Sequence, residues 1–259
     1  MIIENLSNSF PEKSINEINR LKNDFYNQFF QVWSETLKSR CFDQSNWNGH
    51  VKIEGMEVLN QHLSNNESVI LLSGHTANWE WSGSAISQSL MGQMTVFFKP
   101  VKKESFGQEI HAIREKHGIK AVAKDNALRY LIKTRETPQL VGIIGDQIPA
   151  IGTEKYWLHF LHQKTAFYQG AEKFALSMKY PVYYSQMKRV EKGLYVIEII
   201  PVFNGTSKVR KGEIIKRYAE LLETTIRNNP ADYLWSHRRW KYTLKEAQSA
   251  SGKDQLFIS

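Results

Sequence analysis

The sequence has very little cysteine and no long apolar run. Its 259 residues include one cysteine, Cys41, so it cannot form an intramolecular disulfide or a metal site built from several thiolates. No stretch reaches the roughly 20 apolar residues that a membrane-spanning helix needs. The N-terminus also lacks the basic and then apolar build of a signal peptide. We expect a soluble or membrane-peripheral chain in a reducing compartment.

Common nucleotide-binding and nucleophile motifs are also absent. The sequence has no Walker phosphate loop, no dinucleotide fingerprint and no serine elbow. Its histidines show no metal-ligand spacing with carboxylates. His159 and His162 lie three apart in a predicted loop and could be ligands, but we predict no metal site.

The charge balance points to an anionic partner. Lys and Arg number 34 against 26 Asp and Glu, a net charge of +8. Such an excess suits nucleic acid, an anionic membrane surface or an acidic carrier protein. Aromatic residues make up 12% of the chain, with seven Trp, which leaves room for an interfacial surface. Composition alone does not choose among these partners.

Hydrophobic periodicity alternates between strand and helix along the chain. A capping box of Ser14 and Glu17 begins an amphipathic helix that we expect to pack on the domain rather than to touch membrane. Strands are predicted over 68–73, 94–99, 119–123, 140–145, 181–187 and 194–201, and helices over 14–39, 78–90, 104–117, 125–135, 168–179 and 209–228.

This alternation predicts an α/β fold with a mainly parallel or mixed central sheet sandwiched by helices. No linker, internal repeat or low-complexity tract interrupts the chain. We therefore predict one domain over 1–259, with an N-terminal amphipathic helical segment over 1–40 and a basic, aromatic tail over 230–259.

The candidate catalytic group is His75, which a buried strand delivers to its carboxyl end, where open α/β sheets place their ligands. If His75 lies in the loop before the next helix, Glu80 can return to accept a hydrogen bond from Nδ1–H. Nε2 is then free to act as a base. A histidine followed by an acid five residues later also occurs by chance, so a core histidine is the alternative.

The string from Gly74 to Glu80, Gly-His-Thr-Ala-Asn-Trp-Glu, resembles the signature of the lipid A biosynthesis acyltransferases. These late lauroyl and myristoyl transferases of Gram-negative bacteria belong to the glycerolipid-acyltransferase-like group with a His-x4-acid motif. Further similar elements follow one another over about residues 2–242: Asn5-Leu6, Phe10-Pro11-Glu12, Arg114, Gly145-Asp146-Gln147, Phe160-Leu161, Gly170-Ala171 and the segment from Leu234 to Lys241.

The resemblance implies that His75 and Glu80 are the catalytic pair, supported by Arg114 and Asp146, beside a hydrophobic groove for acyl chains. The donor would be an acyl thioester on acyl carrier protein or coenzyme A, a substrate rather than a cofactor. The acceptor would be a hydroxyl of a lipid A precursor or related glycolipid at the cytoplasmic face of the inner membrane. The two open alternatives are another amphiphile as acceptor, such as an aminolipid, a lysophospholipid or a polyene-type lipid, and a non-catalytic lipid- or nucleic-acid-binding protein.

The sequence departs from the family in two places. The family normally begins with a hydrophobic anchor helix, and this sequence starts after it. His162 stands where a glycine usually follows the Phe element, so we expect acceptor or chain specificity to differ from that of the standard lauroyl transferases.

The roles of the supporting residues stay open between structure and chemistry. Arg114 belongs either to a solvated charged face or to a fork that binds phosphate or negative charge near the thioester. Asp146 ends an apolar strand and is expected to pair with Arg114, as site support or as a structural ion pair. Gln147 either donates to an oxyanion or caps a turn. Asn78 and Gly170 are candidate site residues because they belong to the motifs that resemble those of the family.

The tail segment from Trp235 to Trp240 interleaves aromatics with His237, Arg238 and Arg239. This pattern fits nucleic acid or lipid phosphates at an interface, and we favour lipid because no nucleic-acid module is recognisable. The basic cluster Lys99, Lys102 and Lys103 is interpreted as solvated charge, with anion binding as the alternative.

Overall fold

The computed structural model describes residues 1–98, 105–251 and 256–258, and the fold is given for these. The helices are α1 (Ile2–Ser9), α2 (Ile15–Lys38), α3 (Gln44–His50), α4 (Met56–Ser64), α5 (Trp79–Ser89), α6 (Ser105–Lys116), α7 (Ala127–Lys133), α8 (Gly170–Met178), α9 (Glu213–Asn228) and α10 (Leu244–Ser251). The strands are β1 (Val51–Glu54), β2 (Val69–Ser73), β3 (Gln93–Phe98), β4 (Ile119–Ala123), β5 (Gln139–Ile144), β6 (Lys155–Phe160), β7 (Gln163–Tyr168), β8 (Val182–Glu191), β9 (Leu194–Phe203) and β10 (Leu256–Phe257).

Seven strands form the main sheet, in the order β1-β9-β8-β2-β5-β3-β4. The five strands from β8 to β4 run parallel to one another. β8 and β9 form an antiparallel hairpin, and β1 pairs in parallel with β9. The sheet is therefore mixed and mostly parallel, and the predicted α/β fold class is confirmed.

Both faces of the sheet are buried, as expected for parallel strands linked by helices. Leu72 of β2 packs in the same core cluster as Leu222 of α9. The preceding residue, Leu71, belongs to the core cluster on the other face of the sheet, together with Trp81 of α5. Adjacent residues of one strand thus serve two cores, which is why the strand reads as a continuous apolar run.

Two strands of the second sheet, β6 and β7, lie between the predicted strand 140–145 and the predicted helix 168–179, where the sequence predicts a loop. β6 and β7 form an antiparallel hairpin, and β10 pairs in parallel with β6. Their turn places Leu161 at φ 49° and His162 at φ 62°, the left-handed region that type I′ hairpin turns require. The turn residues Leu161 and His162 do not match the Asn-Gly pattern of such turns, so the sequence does not predict the hairpin. The exposed His162 occupies a position whose backbone conformation favours glycine.

The capping box at the start of α2 is confirmed, with the Ser14 hydroxyl and the Glu17 carboxylate bonding to each other's backbone amides. α2 buries Ile18, Phe25 and Val32 against the molecule. Among the described helices, none has both the length and the apolar character needed to cross a bilayer.

Candidate active site

His75 and Asp146 meet because they follow neighbouring parallel strands. β2 and β5 pair in register, with Ser73 beside Ile144, and each strand continues through one glycine to its charged residue. Nδ1 of His75 donates to Oδ1 of Asp146 at 2.7 Å, since an ionised carboxylate can only accept. The backbone N–H of His75 donates to Oδ2 at 3.1 Å. Asp146 therefore fixes both the ring and the backbone of His75.

Asp146 is buried and His75 is partly buried, with side chains that are 3% and 15% exposed. Burial alone would lower the pKa of His75, but the charge and hydrogen bond of Asp146, aided by Glu80, hold that pKa above its ordinary value. Burial alone would raise the pKa of Asp146, but charge and hydrogen bonding from His75 keep that pKa below its usual range. Within the described residues, no group hydrogen-bonds Nε2 of His75.

Glu80 does not hold His75, contrary to the sequence prediction. Its carboxylate accepts from Nε of Arg114 at 2.9 Å and from Nη2 of Arg114 at 2.7 Å. The expected pairing of Asp146 with Arg114 is wrong for the same reason. The first turn of α5 presents Glu80 to α6, while the order of the strands brings Asp146 to the imidazole.

The Glu80–Arg114 pair nevertheless acts on His75 through its charges. Glu80 raises the pKa of His75 and Arg114 opposes that effect. Burial alone would lower the pKa of Arg114, but Glu80 raises it above its ordinary value. The Trp79 ring lies edge-on to the His75 ring, with 5.3 Å between centroids, and its Nε1 donates to Glu80 Oε1 at 3.2 Å. Trp79 thus contacts both the His75 imidazole and the Glu80–Arg114 ion pair.

The loop that carries His75 is clamped by the chain near residue 233. Thr76 and Tyr233 form an antiparallel bridge. The carbonyl of His75 accepts from Leu234 N–H at 3.1 Å, and Ala77 N–H donates to the Asp232 carbonyl at 2.9 Å. Ala77 is held at φ 50°, which costs on the order of 1 kcal/mol for a residue with a side chain. These contacts with residues 232–234 keep the strained loop in place.

Gly74 precedes His75 at a point where the loop touches α9. A Cβ added at Gly74 would lie 2.5 Å from Cδ1 of Leu222, so any larger residue would force the Leu222 side chain to move. The glycine of the motif therefore lets the loop after β2 pack closely against α9.

Asn78 is fully buried and supports the site from behind. Its Oδ1 accepts from Trp81 N–H at 3.0 Å and so caps α5. Its Nδ2 donates to the buried carboxylate of Glu35 at 2.8 Å, which also accepts from the hydroxyl of Tyr195 at 2.7 Å. Through Asn78, Glu35 of α2 fixes the start of the helix that carries Glu80.

A cavity of about 1120 Å³ opens beside the site at the carboxyl edge of the sheet. Gly145 and Gln147, the neighbours of Asp146, line it, as does Gly170 at the start of α8. His75 itself is not part of the lining. Most other lining side chains are apolar, among them Leu72, Phe97, Leu131, Ile143, Ile148 and Phe174. The cavity offers space for an alkyl chain beside Gly145 and Gln147, the residues that flank Asp146.

The tail segment does not form the basic surface that the sequence suggested. Trp235 is fully buried and Arg239 is 1% exposed, whereas Arg238 is exposed. Nη2 of Arg239 donates to the Ala166 carbonyl at 2.6 Å, and its Cζ lies 4.6 Å from the centroid of the Phe167 ring. The segment is held inside because Nδ2 of Asn5 donates to the carbonyls of Trp235 and His237.

His237 was not singled out as a site residue, yet it supports the loop that follows Asp146. Its Nε2 accepts from Ile148 N–H at 3.1 Å, so Nδ1 carries the proton of the neutral ring. Burial lowers the pKa of His237, and the charge of Arg239 lowers it further. Only its place in the tail motif could have pointed to it, because nothing local links it to residue 148.

No cluster of three His, Cys, Asp or Glu side chains in the described part of the chain is arranged to hold a metal ion. Lys99, Lys102 and Lys103 lie outside the described residues.

A family model described as bacterial lipid A biosynthesis acyltransferase matches residues 2–242. The match includes the His75 loop, Glu80, Arg114, Asp146 and the buried tail segment. A search of curated proteins finds no match.

Proposed function

The chain belongs to the bacterial lipid A biosynthesis acyltransferase family, and from this premise we propose that it moves a fatty acyl group from an acyl thioester to a lipid hydroxyl. The acceptor is a lipid A precursor or a related glycolipid, and the general base is His75. The observation that carries this proposal is the 2.7 Å contact between Nδ1 of His75 and Asp146, which leaves Nε2 open.

In the proposed reaction, Nε2 of His75 takes the proton of the acceptor hydroxyl as its oxygen attacks the thioester carbonyl. The new carbon–oxygen bond forms an ester, the carbon–sulfur bond breaks, and the proton passes to the leaving thiolate. Asp146 keeps the proton of the neutral ring on Nδ1 and stabilises the imidazolium once it forms. No nucleophilic side chain is required, since the substrate supplies the oxygen.

The Glu80–Arg114 pair has a supporting role in this proposal. Two nitrogens of Arg114 are engaged by Glu80, so Arg114 chiefly holds Glu80 near the imidazole. The charge of Glu80 favours the imidazolium, and the charge of Arg114 opposes part of that effect. This differs from the direct Glu80–His75 bond expected from the sequence.

The surroundings support an amphiphilic substrate. The largely apolar cavity beside Asp146 suits a fatty acyl chain. The net charge of +8 suits an acidic acyl carrier protein, the phosphates of coenzyme A and an anionic membrane face alike. We propose that the chain works as a peripheral protein at the cytoplasmic face of the inner membrane.

The test compares His75→Ala with His62→Ala in acyl transfer from acyl carrier protein and from coenzyme A to a lipid A precursor. His62 is a matched control, because its Nδ1 also lies 2.7 Å from a carboxylate, that of Glu67. We expect His75→Ala to lose about 10²–10⁴-fold in kcat and His62→Ala to stay near wild type. Near-normal transfer by folded His75→Ala would refute the mechanism, and the product mass would identify the acylated acceptor.

A further inference from the structure

The mouth of the cavity carries aliphatic side chains that remain exposed. Leu128 is 64% exposed and Ile151 41% exposed, and both line the cavity. Ile132, 54% exposed, follows Leu128 by one turn of α7. Leu176, 42% exposed, lies on α8 next to Ser177, which also lines the cavity. Exposed aliphatic side chains at and next to the lining of a cavity are a feature of binding surfaces.

Cations are interleaved with these aliphatic side chains. Lys124 and Lys241 line the cavity and are exposed, and Arg129 and Lys133 are exposed on α7. Lys173 also lines the cavity, where it is paired with Glu154. The exposed acid at the start of α7 is Asp125. The mouth therefore combines aliphatic contact area with an excess of positive charge.

We infer that this rim, formed by Leu128, Ile132, Ile151, Leu176, Arg129 and Lys133, docks on an anionic phospholipid bilayer. Aliphatic residues beside Lys and Arg are typical of interfacial helices, which insert the former among acyl chains and place the latter at anionic headgroups. A bilayer on this face would deliver a lipid chain to the cavity without exposing it to water. The inference rests on the proposed function and names the surface through which an acceptor arrives.

An exposed aromatic surface on α2 is the alternative candidate for membrane docking. On α2, Tyr26 is 42% exposed and Phe30 is 66% exposed. Neither residue lines the cavity, so docking there would not bring a lipid chain to the opening. The rim is favoured because Leu128 and Ile151 line the cavity and because Arg129 and Lys133 add positive charge beside them.

The test is flotation of the full chain with vesicles of phosphatidylethanolamine and phosphatidylglycerol, and with vesicles of phosphatidylcholine. Ile132→Asn with Leu176→Asn removes apolar contacts outside the cavity lining, and Arg129→Gln with Lys133→Gln removes two charges. The matched control is Met91→Asn with Val190→Asn, since these side chains are 74% and 65% exposed away from the rim. A further arm carries Tyr26→Asn with Phe30→Asn.

We expect wild type to bind the phosphatidylglycerol vesicles and to bind phosphatidylcholine more weakly. Each of the two rim variants should lose about tenfold or more in binding to phosphatidylglycerol vesicles, while the control variant keeps wild-type binding. Both rim variants should keep the far-ultraviolet circular dichroism of wild type, because the changed side chains are exposed. Wild-type vesicle binding by the rim variants, or a loss confined to the α2 variant, would overturn the inference. Loss of affinity only for an acidic acyl carrier protein would overturn it too.

His75→Ala separates this inference from the proposed function. The docking surface predicts that folded His75→Ala binds the phosphatidylglycerol vesicles as wild type does, whatever its activity. If acyl transfer fails to depend on His75 but the rim variants lose vesicle binding, the docking surface stands and the mechanism falls. If the reverse holds, the mechanism stands and the docking surface falls.

Discussion

At the scale of single residues, Asp146 holds the imidazole of His75, and Glu80 pairs with Arg114. The motif marks His75 and Glu80, and the apolar strand before Asp146 marks that carboxylate as one needing a partner. The pairing depends on β5 lying beside β2 and on the direction in which α5 presents Glu80. Residue spacing along the chain predicts neither fact. Only the three-dimensional structure therefore shows that Asp146 bonds to His75 while Glu80 bonds to Arg114.

Asp146→Asn is expected to lower activity and to move its pH dependence. A general base must be neutral, so kcat/KM rises with pH through the pKa of His75, which Asp146 holds above its ordinary value. Without that charge, burial dominates and lowers the pKa, so the acid limb moves to lower pH while kcat falls by about 10²–10⁴-fold. The measurement is the pH profile of kcat/KM in wild type and variant. An acid limb that stays in place would argue against Asp146 as the partner of the base.

Arg239→Ala and Arg238→Ala are expected to differ sharply in stability. Arg239 is buried and donates to the Ala166 carbonyl, so its truncation leaves a cavity and an unpaired acceptor and should cost about 2–4 kcal/mol in unfolding free energy. Arg238 is exposed, and its loss should stay within about 0.5 kcal/mol. Urea denaturation of the two variants measures both. Equal effects would contradict the inward placement of Arg239.

At the scale of elements, the prediction succeeded where periodicity was long and failed where a turn was unusual. The apolar spacing and capping box of α2, and the apolar runs of β2 and β5, are local signals that the fold preserves. The β6–β7 hairpin could not be predicted, because Leu161 and His162 are not typical turn residues. From its sequence, the tail segment suggests a surface, because alternating aromatic and basic residues are typical of interfaces. Its burial depends on contacts with distant residues, namely the hydrogen bonds from Asn5 and the Thr76–Tyr233 bridge.

His162→Gly is expected to stabilise the protein by about 0.5–1 kcal/mol without changing kcat. The residue is exposed and sits at φ 62°, where a side chain costs energy that glycine avoids. Gln163→Gly, one residue further on in β7, should instead destabilise, because a strand glycine loses more entropy on folding. Thermal unfolding ranks the two variants. A change in acceptor or chain preference in His162→Gly would support the role in specificity that the sequence suggests.

At the scale of the whole molecule, the α/β class could be predicted because alternating strands and helices leave few arrangements. The strand order could not, since β1 and β9 extend the sheet through pairings that no local pattern encodes. The N-terminal helix α1 contacts the tail through Asn5, and α2 reaches α5 through Glu35 and Asn78. Segments distant in the chain therefore share the support of the site.

These shared contacts lead us to expect one cooperative unfolding transition for the full chain. Trp235 and Trp81 lie in different core clusters, so tryptophan fluorescence samples both sides of the sheet. Its urea midpoint should coincide with that of far-ultraviolet circular dichroism, as two-state unfolding requires. Two separated midpoints would instead reveal a second folding unit and would contradict the single domain predicted from the sequence.

The clamp of Thr76 by Tyr233 has a consequence for the protein during its synthesis. His75 is translated about seventy positions before Asp146, and Tyr233, which bridges Thr76, is translated after both. A nascent polypeptide can therefore contain the imidazole and its carboxylate partner before the bridge that steadies their loop exists. We expect the proposed base to become fixed only when Tyr233 has joined the fold.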